Sequence, residues 1–175
     1  MRTKMKTDLK MKRLFPLAII LVLCFTSCST ISTEEEAALY EENTIEAVSL
    51  VLSDNEQALL DIINNHREDL GLGRLEFNAA IYEVAEEHNL YMITNDALSH
   101  NNFNERASKV AKKTKAKKVG ENVARKYNDV VSAFEGWMSS NSHKKTIEGD
   151  YTHTTISITK SNTGDLYYTQ IFYKE

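Results

Sequence analysis

Cysteine is nearly absent from this chain: of 175 residues only Cys24 and Cys28 carry a thiol. Cys24 falls inside an apolar run near the N-terminus, so a processed chain keeps Cys28 alone and forms no internal disulfide. The folded part must then be held by its own core rather than by covalent staples. Compact catalytic signatures are missing too. No His-Glu-x-x-His segment sets two histidines on one helix face for zinc, and no serine sits in a Gly-x-Ser-x-Gly turn. There is no internal repeat. The apolar run Leu14 to Phe25, interrupted by Pro16, is shorter than the roughly 20 residues of a membrane span.

What is present at the N-terminus is an export signal. Arg2, Lys4, Lys6, Lys10, Lys12 and Arg13 form a basic lead, and the apolar run follows it, ending in the small residues Thr26 and Ser27. That layout predicts a secretory signal over residues 1–27, with Met5 and Met11 as alternative starts. Phe25-Thr26-Ser27-Cys28 resembles a bacterial lipoprotein cleavage site, with Phe25 where leucine is usual. Cys28 then becomes the lipidated first residue of a membrane-anchored envelope protein. The alternative is an ordinary cleaved signal with a stray cysteine. Six of the 21 basic and one of the 25 acidic residues lie in 1–27, leaving 15 basic against 24 acidic, a net of −9. Nucleic acid is a poor partner for such a chain, since phosphate binding is driven by Lys and Arg. Glu34, Glu35, Glu36, Glu41 and Glu42 crowd residues 28–52, which read as an acidic tether. Residues 53–175 suit one domain.

Within that domain the patterning changes from helical to alternating. Ser53 and Glu56 form a capping box. Leu59, Leu60, Ile62, Ile63, His66 and Leu70 follow at helical spacing until Gly71. Asn78 can cap a second helix bearing Ile81, Val84, Ala85, His88 and Met92, and Asn128 a third bearing Phe134, Trp137 and Met138. His66, His88 and Trp137 read as core or core-edge residues. Glu105 to Val110 predicts a helical turn. Arg106, Lys109, Lys112, Lys113, Lys115, Lys117 and Lys118 read as a solvated basic face, with contact to anionic lipid or polysaccharide as the alternative. Tyr151 to Thr159 alternates as a strand, and Leu166 to Tyr173 is a second β-rich run that pairs with it as an antiparallel hairpin. Helices first and strands last predict an α+β fold, with helices over a mainly antiparallel sheet.

A dispersed set of polar residues remains: Leu98-Ser99-His100, Gly120-Glu121-Asn122, Trp137-Met138-Ser139-Ser140, His143, His153 and Tyr168-Thr169-Gln170-Ile171-Phe172. With the opening helix at Leu59 to Arg67 and Gly71-Leu72-Gly73, this order resembles the CAP superfamily, also called SCP: cysteine-rich secretory proteins, antigen 5 and pathogenesis-related proteins. The match runs from Asn55 to the C-terminus and is nearest to the short bacterial members. It implies an α-β-α sandwich with a central cleft lined by two histidines and two acids, able to hold zinc or another divalent metal.

Carried over by position, His100 matches the first histidine, Glu121 the acid of Gly-Glu-Asn, and His153 the second histidine. These three are the implied metal ligands, with a metal-free cluster in which both histidines hydrogen-bond to Glu121 as the alternative. His143 and Gln170 are the further cleft residues, with an ordinary buried role as the alternative for Gln170. Asn122 reads as a turn residue. The second acid is expected just after Trp137, where this chain has Ser140, Asn141 and Ser142. Its loss removes charge and a general base. The leading expectation is therefore a non-enzymatic module binding a lipid, glycan or protein ligand. A metal-dependent, peptidase-like hydrolase and a structural or adhesive envelope protein are the alternatives.

Overall fold

A computed structural model describes residues 50–175; the export signal, Cys28 and all but the end of the acidic tether lie outside them. The first helix, α1 (Asp54–Asp69), starts as its sequence dictates. Ser53 Oγ accepts from the Glu56 N–H, and the Glu56 carboxylate accepts from the Ser53 N–H at 2.9 Å. Leu59, Leu60 and Ile63 line its buried face, each contributing about 1.5–3 kcal/mol of apolar burial. Gly71 ends it with φ +72°, a conformation that costs glycine no Cβ clash.

The chain continues through β1 (Glu76–Phe77), a 3₁₀ turn (Ala79–Ile81), α2 (Tyr82–Thr94), α3 (Phe103–Thr114) and β2 (Lys118–Arg125). It closes with α4 (Val130–Met138), α5 (Asn141–Ile147), β3 (His153–Lys160) and β4 (Leu166–Lys174). The expected Asn128 cap is corrected by one residue: Asp129 caps α4, its carboxylate accepting the Ser132 N–H at 2.8 Å. The expected turn at Glu105 to Val110 is a full 12-residue helix, α3.

The four strands form one sheet in the order β1-β3-β4-β2. The hairpin β3–β4 is antiparallel as its alternation predicts, and β2 pairs antiparallel with β4 on the other side. Strand β2 was not expected. Gly120-Glu121-Asn122 reads as turn chemistry, yet all three residues are paired in register with Phe172, Ile171 and Gln170. Gly120 is needed because a Cβ there would meet the Tyr151 hydroxyl at 2.5 Å.

Side chains alternate across the sheet and create two cores. Ala124, Ile156, Tyr168 and Phe172 pack under α1, α4 and α5. On the opposite face Ile171 and Tyr173 meet Ile81, Val84 and Ala85 at the start of α2 and Val110 of α3. The result is the expected α-β-α sandwich. Arg67, buried in the last turn of α1, ties the first layer together. Its guanidinium donates to the carbonyls of Gly73, Ile147, Gly149 and Tyr151, which fixes the end of α5.

Candidate functional site

Glu121 points from β2 into the α2–α3 layer, and its side chain is 1% exposed. A carboxylate so placed needs compensation. Arg106 supplies it from α3: Nε and Nη2 donate to the two carboxylate oxygens, each at 2.7 Å. Such a two-pronged pair is the strongest form of ionic hydrogen bond. A third Arg106 nitrogen donates to the Asn101 carbonyl at 2.6 Å, so the same guanidinium also holds the start of α3. His100, half exposed, brings Nδ1 to 2.9 Å from Glu121 Oε1. Burial pushes the Glu121 carboxyl up, but hydrogen bonds from His100 and Arg106 and the Arg106 charge outweigh it and leave the pKa below the usual carboxylate value.

His143 arrives from the other helical layer. Its ring centroid lies 6.2 Å from that of His100, so the two histidines face one another across the outer edge of β2. Burial, and then the neighbouring His100, pull the His143 pKa down. Behind the cluster His88 is buried with Nε2 2.6 Å from the Ser99 carbonyl, which anchors the segment presenting His100. Its pKa is lowered by burial first and by Arg106 second.

His100, Glu121 and His143 thus come together; His153 and Gln170 do not join them. His153 begins β3, with β4 lying between it and β2, and it shares a register row with Tyr173 and Val119 rather than with Glu121. Its ring stacks on Tyr173 at 4.9 Å and approaches Glu76 at 3.7 Å. Gln170 lies on the opposite face from Glu121, because adjacent strand positions alternate. It is fully buried, and its amide donates to Thr154 Oγ1 at 3.1 Å. Asn122, on the same face as Gln170, donates to the His143 carbonyl at 3.1 Å and so seats α5.

The implied metal trio His100, Glu121 and His153 is therefore corrected. Its third member is elsewhere in the sheet, and its acid is neutralised by a guanidinium that would oppose a cation. Among the described residues no three His, Cys, Asp or Glu side chains are grouped as metal ligands. These residues do not fit a divalent metal.

Arg106 is the functional residue that sequence reasoning misplaced, by counting it among surface lysines. Its neighbours along the chain, Lys109, Lys112 and Lys113, are exposed as expected. The signal was helical spacing: Arg106, Val110 and Thr114 recur every four residues on the buried face of α3.

Beside the histidine pair a groove of about 260 Å³ opens along β2. Residues 123–127 make its floor, Leu98 stands on one wall, and Gly136, Trp137, Ser140 and His143 stand on the other. Trp137 is buried as expected and donates its indole N–H to the Val123 carbonyl at 3.0 Å.

A three-layer sandwich, with helices on both faces of a mainly antiparallel sheet, is the architecture of the CAP, or SCP, class of domain. A sequence profile of the cysteine-rich secretory protein family matches residues 60–172, and the chain belongs to that family. Over 133 residues it is 33% identical to YlbC of Bacillus subtilis, described as an uncharacterized membrane protein; the match takes in 69% of this chain and 34% of that relative, so the chain spans about a third of its length. An outer surface protein of Borrelia burgdorferi has the same fold, with a TM-score of 0.64 at 20% identity over 72% of this chain and 96% of that one. An extracellular SCP-domain protein of Bacillus anthracis is 25% identical with a TM-score of 0.61, over 73% of this chain and 45% of its own.

Proposed function

We propose that this chain is an exported CAP domain, held at the cell envelope by lipid on Cys28, whose groove binds a ligand without turning it over. The Arg106–Glu121 pair carries the reading. Glu121 is the one acid that the family pattern leaves for metal or general-base duty. A base needs a free lone pair aimed at its substrate and a pKa near the working pH. Both Glu121 oxygens accept from Arg106, one also faces His100, and the pair is held in its charged form. The carboxylate thus orders α3 and His100, and what lines the groove is a recognition surface: the His143 imidazole with Leu98 and Tyr127. The descriptions of the relatives as outer surface, extracellular or membrane proteins support a place at the envelope.

Native mass spectrometry of the purified full chain, with and without added zinc, tests the reading. No zinc bound through the trio is expected at modest excess. One zinc lost in both Glu121→Gln and His153→Ala, together with zinc-dependent cleavage of a mixed peptide library, would overturn it. In cells, Cys28→Ser is expected to move the protein from the membrane to the soluble fraction; unchanged membrane association would refute the anchor.

A further inference from the structure

Six of the 15 basic residues that follow the export signal fall between Arg106 and Glu121, at Lys109, Lys112, Lys113, Lys115, Lys117 and Lys118, with no acid among them. The rest of that chain carries 24 acids, so positive charge is concentrated where α3 ends and β2 begins. Thr114, the last residue of α3, is followed by Lys115 at φ +60°, and β2 starts at Lys118. All six lysines are exposed. They divide by partner. Lys109 lies 2.6 Å from Glu87 and Lys113 3.8 Å from Glu83, both on α2. Among the described residues Lys112, Lys115, Lys117 and Lys118 form no ion pair, and Asp150 is already taken by Lys174 at 2.6 Å. Lys118 Nζ rests 4.3 Å above the Tyr151 ring, which holds the ammonium without neutralising it.

Two of the four free lysines line an open groove of about 450 Å³ between α3 and the start of β2. Small apolar side chains line it with them: Ala107 and Ala111 from α3, Ala116 and Val119 from the β2 side. Lys112 follows Ser108, which also borders the groove, by one helical turn. No arginine and no aromatic ring lines it. Lysine is a compact point charge on a flexible stem, without the planar fork that arginine offers to a fixed phosphate or carboxylate. Such charges suit a layer of mobile anionic headgroups, and the alanines between them suit the glycerol and first methylenes beneath.

We infer that this surface seats the domain on an anionic phospholipid bilayer. This rests on the envelope location proposed above and is independent of what the cleft binds. Cys28 and Leu50 stand 22 residues apart, at most about 80 Å of chain. An anchor on Cys28 therefore keeps the domain near the lipid without choosing the face that meets it, and the free lysines make that choice. Each contributes about a fivefold gain near a charged surface, and salt weakens it. Four are enough to orient an anchored domain and too few to hold an unanchored one at physiological salt, so Cys28→Ser still leaves the membrane fraction. The recognition groove at residues 123–127 starts about 17 Å further along β2 and lies outside the contact.

Cys28 is the only cysteine from residue 28 onward. The processed chain, residues 28–175, is coupled through it to a maleimide lipid in vesicles, which supplies the anchor independently of lipidation in cells. Acetylation of each lysine is then followed by mass spectrometry. On vesicles containing phosphatidylglycerol, Lys112, Lys115, Lys117 and Lys118 are expected to react at least about fivefold more slowly than on phosphatidylcholine alone. Lys144, Lys145 and Lys160, exposed elsewhere, should react equally on both. High salt should erase the difference. Lys115→Gln/Lys117→Gln should lose the protection of Lys112 and Lys118, whereas Lys144→Gln/Lys145→Gln removes the same charge elsewhere and should keep it. Equal rates on the two vesicles, protection of all lysines alike, or equal loss in the two variants overturns the inference. Retention on heparin that Lys115→Gln/Lys117→Gln abolishes, with no protection on vesicles, would assign the surface to an acidic polysaccharide; the bilayer then falls and the Cys28 anchor, tested by fractionation, stands.

Discussion

Two buried glutamates, Glu56 and Glu121, show how one residue type is used to hold a fold in one place and to shape a cleft in another. Glu56 is satisfied by neutral donors. It accepts from the Ser53 N–H and hydroxyl, from Tyr82 Oη at 2.8 Å and from the Ile158 N–H at 2.9 Å. One carboxylate thereby joins α1, α2 and β3 with no cation beside it. Glu121 is satisfied by a cation, Arg106, and by a half-exposed histidine. The neutral cluster has every partner on the scaffold. The ionic one has a partner that meets solvent and a second histidine. A carboxylate at the solvent boundary of a cleft is thus kept charged by a guanidinium, while one inside the scaffold needs only fixed dipoles.

The comparison breaks most sharply at Arg106. Arg106→Met leaves Glu121 buried without its counter-charge and is expected to cost about 3–5 kcal/mol in urea unfolding. The double variant Arg106→Met/Glu121→Leu should recover most of that, because no uncompensated charge remains. Loss in the double variant as large as in the single one would show that packing, and not charge, is what Arg106 supplies. At Glu56 the expected loss is smaller, about 2–3 kcal/mol for Glu56→Ala, from one helix cap and two orphaned long-range donors. Hydrogen exchange should speed at the Ile158 amide; unchanged protection there would mean that another acceptor takes it.

The smallest effect is the dependence on pH. His88 and His143 have pKa values below the ordinary 6.5, so the unfolded chain takes up their protons first. Their contribution to stability is complete above about pH 6.5 and is lost as pH falls below it. Glu121, held below its ordinary 4.5, contributes fully above about pH 4.5, and that part is lost as pH falls through its folded value. The slope is at most about 1.4 kcal/mol per pH unit for each proton taken up. Unfolding curves from pH 7 to 3 should show two windows. Glu121→Gln should shrink the lower one, in which the Asp96, Asp129 and Asp150 carboxyls, also held below their ordinary value, titrate as well; an unchanged lower window would refute the assignment.

What was legible in the chain was what local spacing encodes. The Ser53–Glu56 box, the Leu59-Leu60-Ile63 stripe, the stop at Gly71 and the alternation in the two terminal strands all come from contacts within a few residues, or from one repeating period. The family could be read from the order of Gly-Glu-Asn, Trp137 and Tyr-Thr-Gln, and with it the place of His100 and Glu121. Three other features were not legible, each for a physical reason. Gly120-Glu121-Asn122 has turn-forming composition, and pairing with β4 overrides it. Arg106 sits among lysines in the sequence, and only the packing of α3 on β2 selects it for burial. His153 and Glu121 face the same side of the sheet, but strand order puts β4 between them.

By itself, then, the sequence determined α1, α2 and α4, the hairpin, the family and the absence of a second acid near Ser140, because each is written in residue identity or short-range periodicity. Tertiary structure alone decided that Glu121 belongs to Arg106, that His143 rather than His153 faces His100, and that β2 is the edge strand beside a groove. Those outcomes depend on register and strand order, which couple residues far apart in the chain, and no local pattern specifies them.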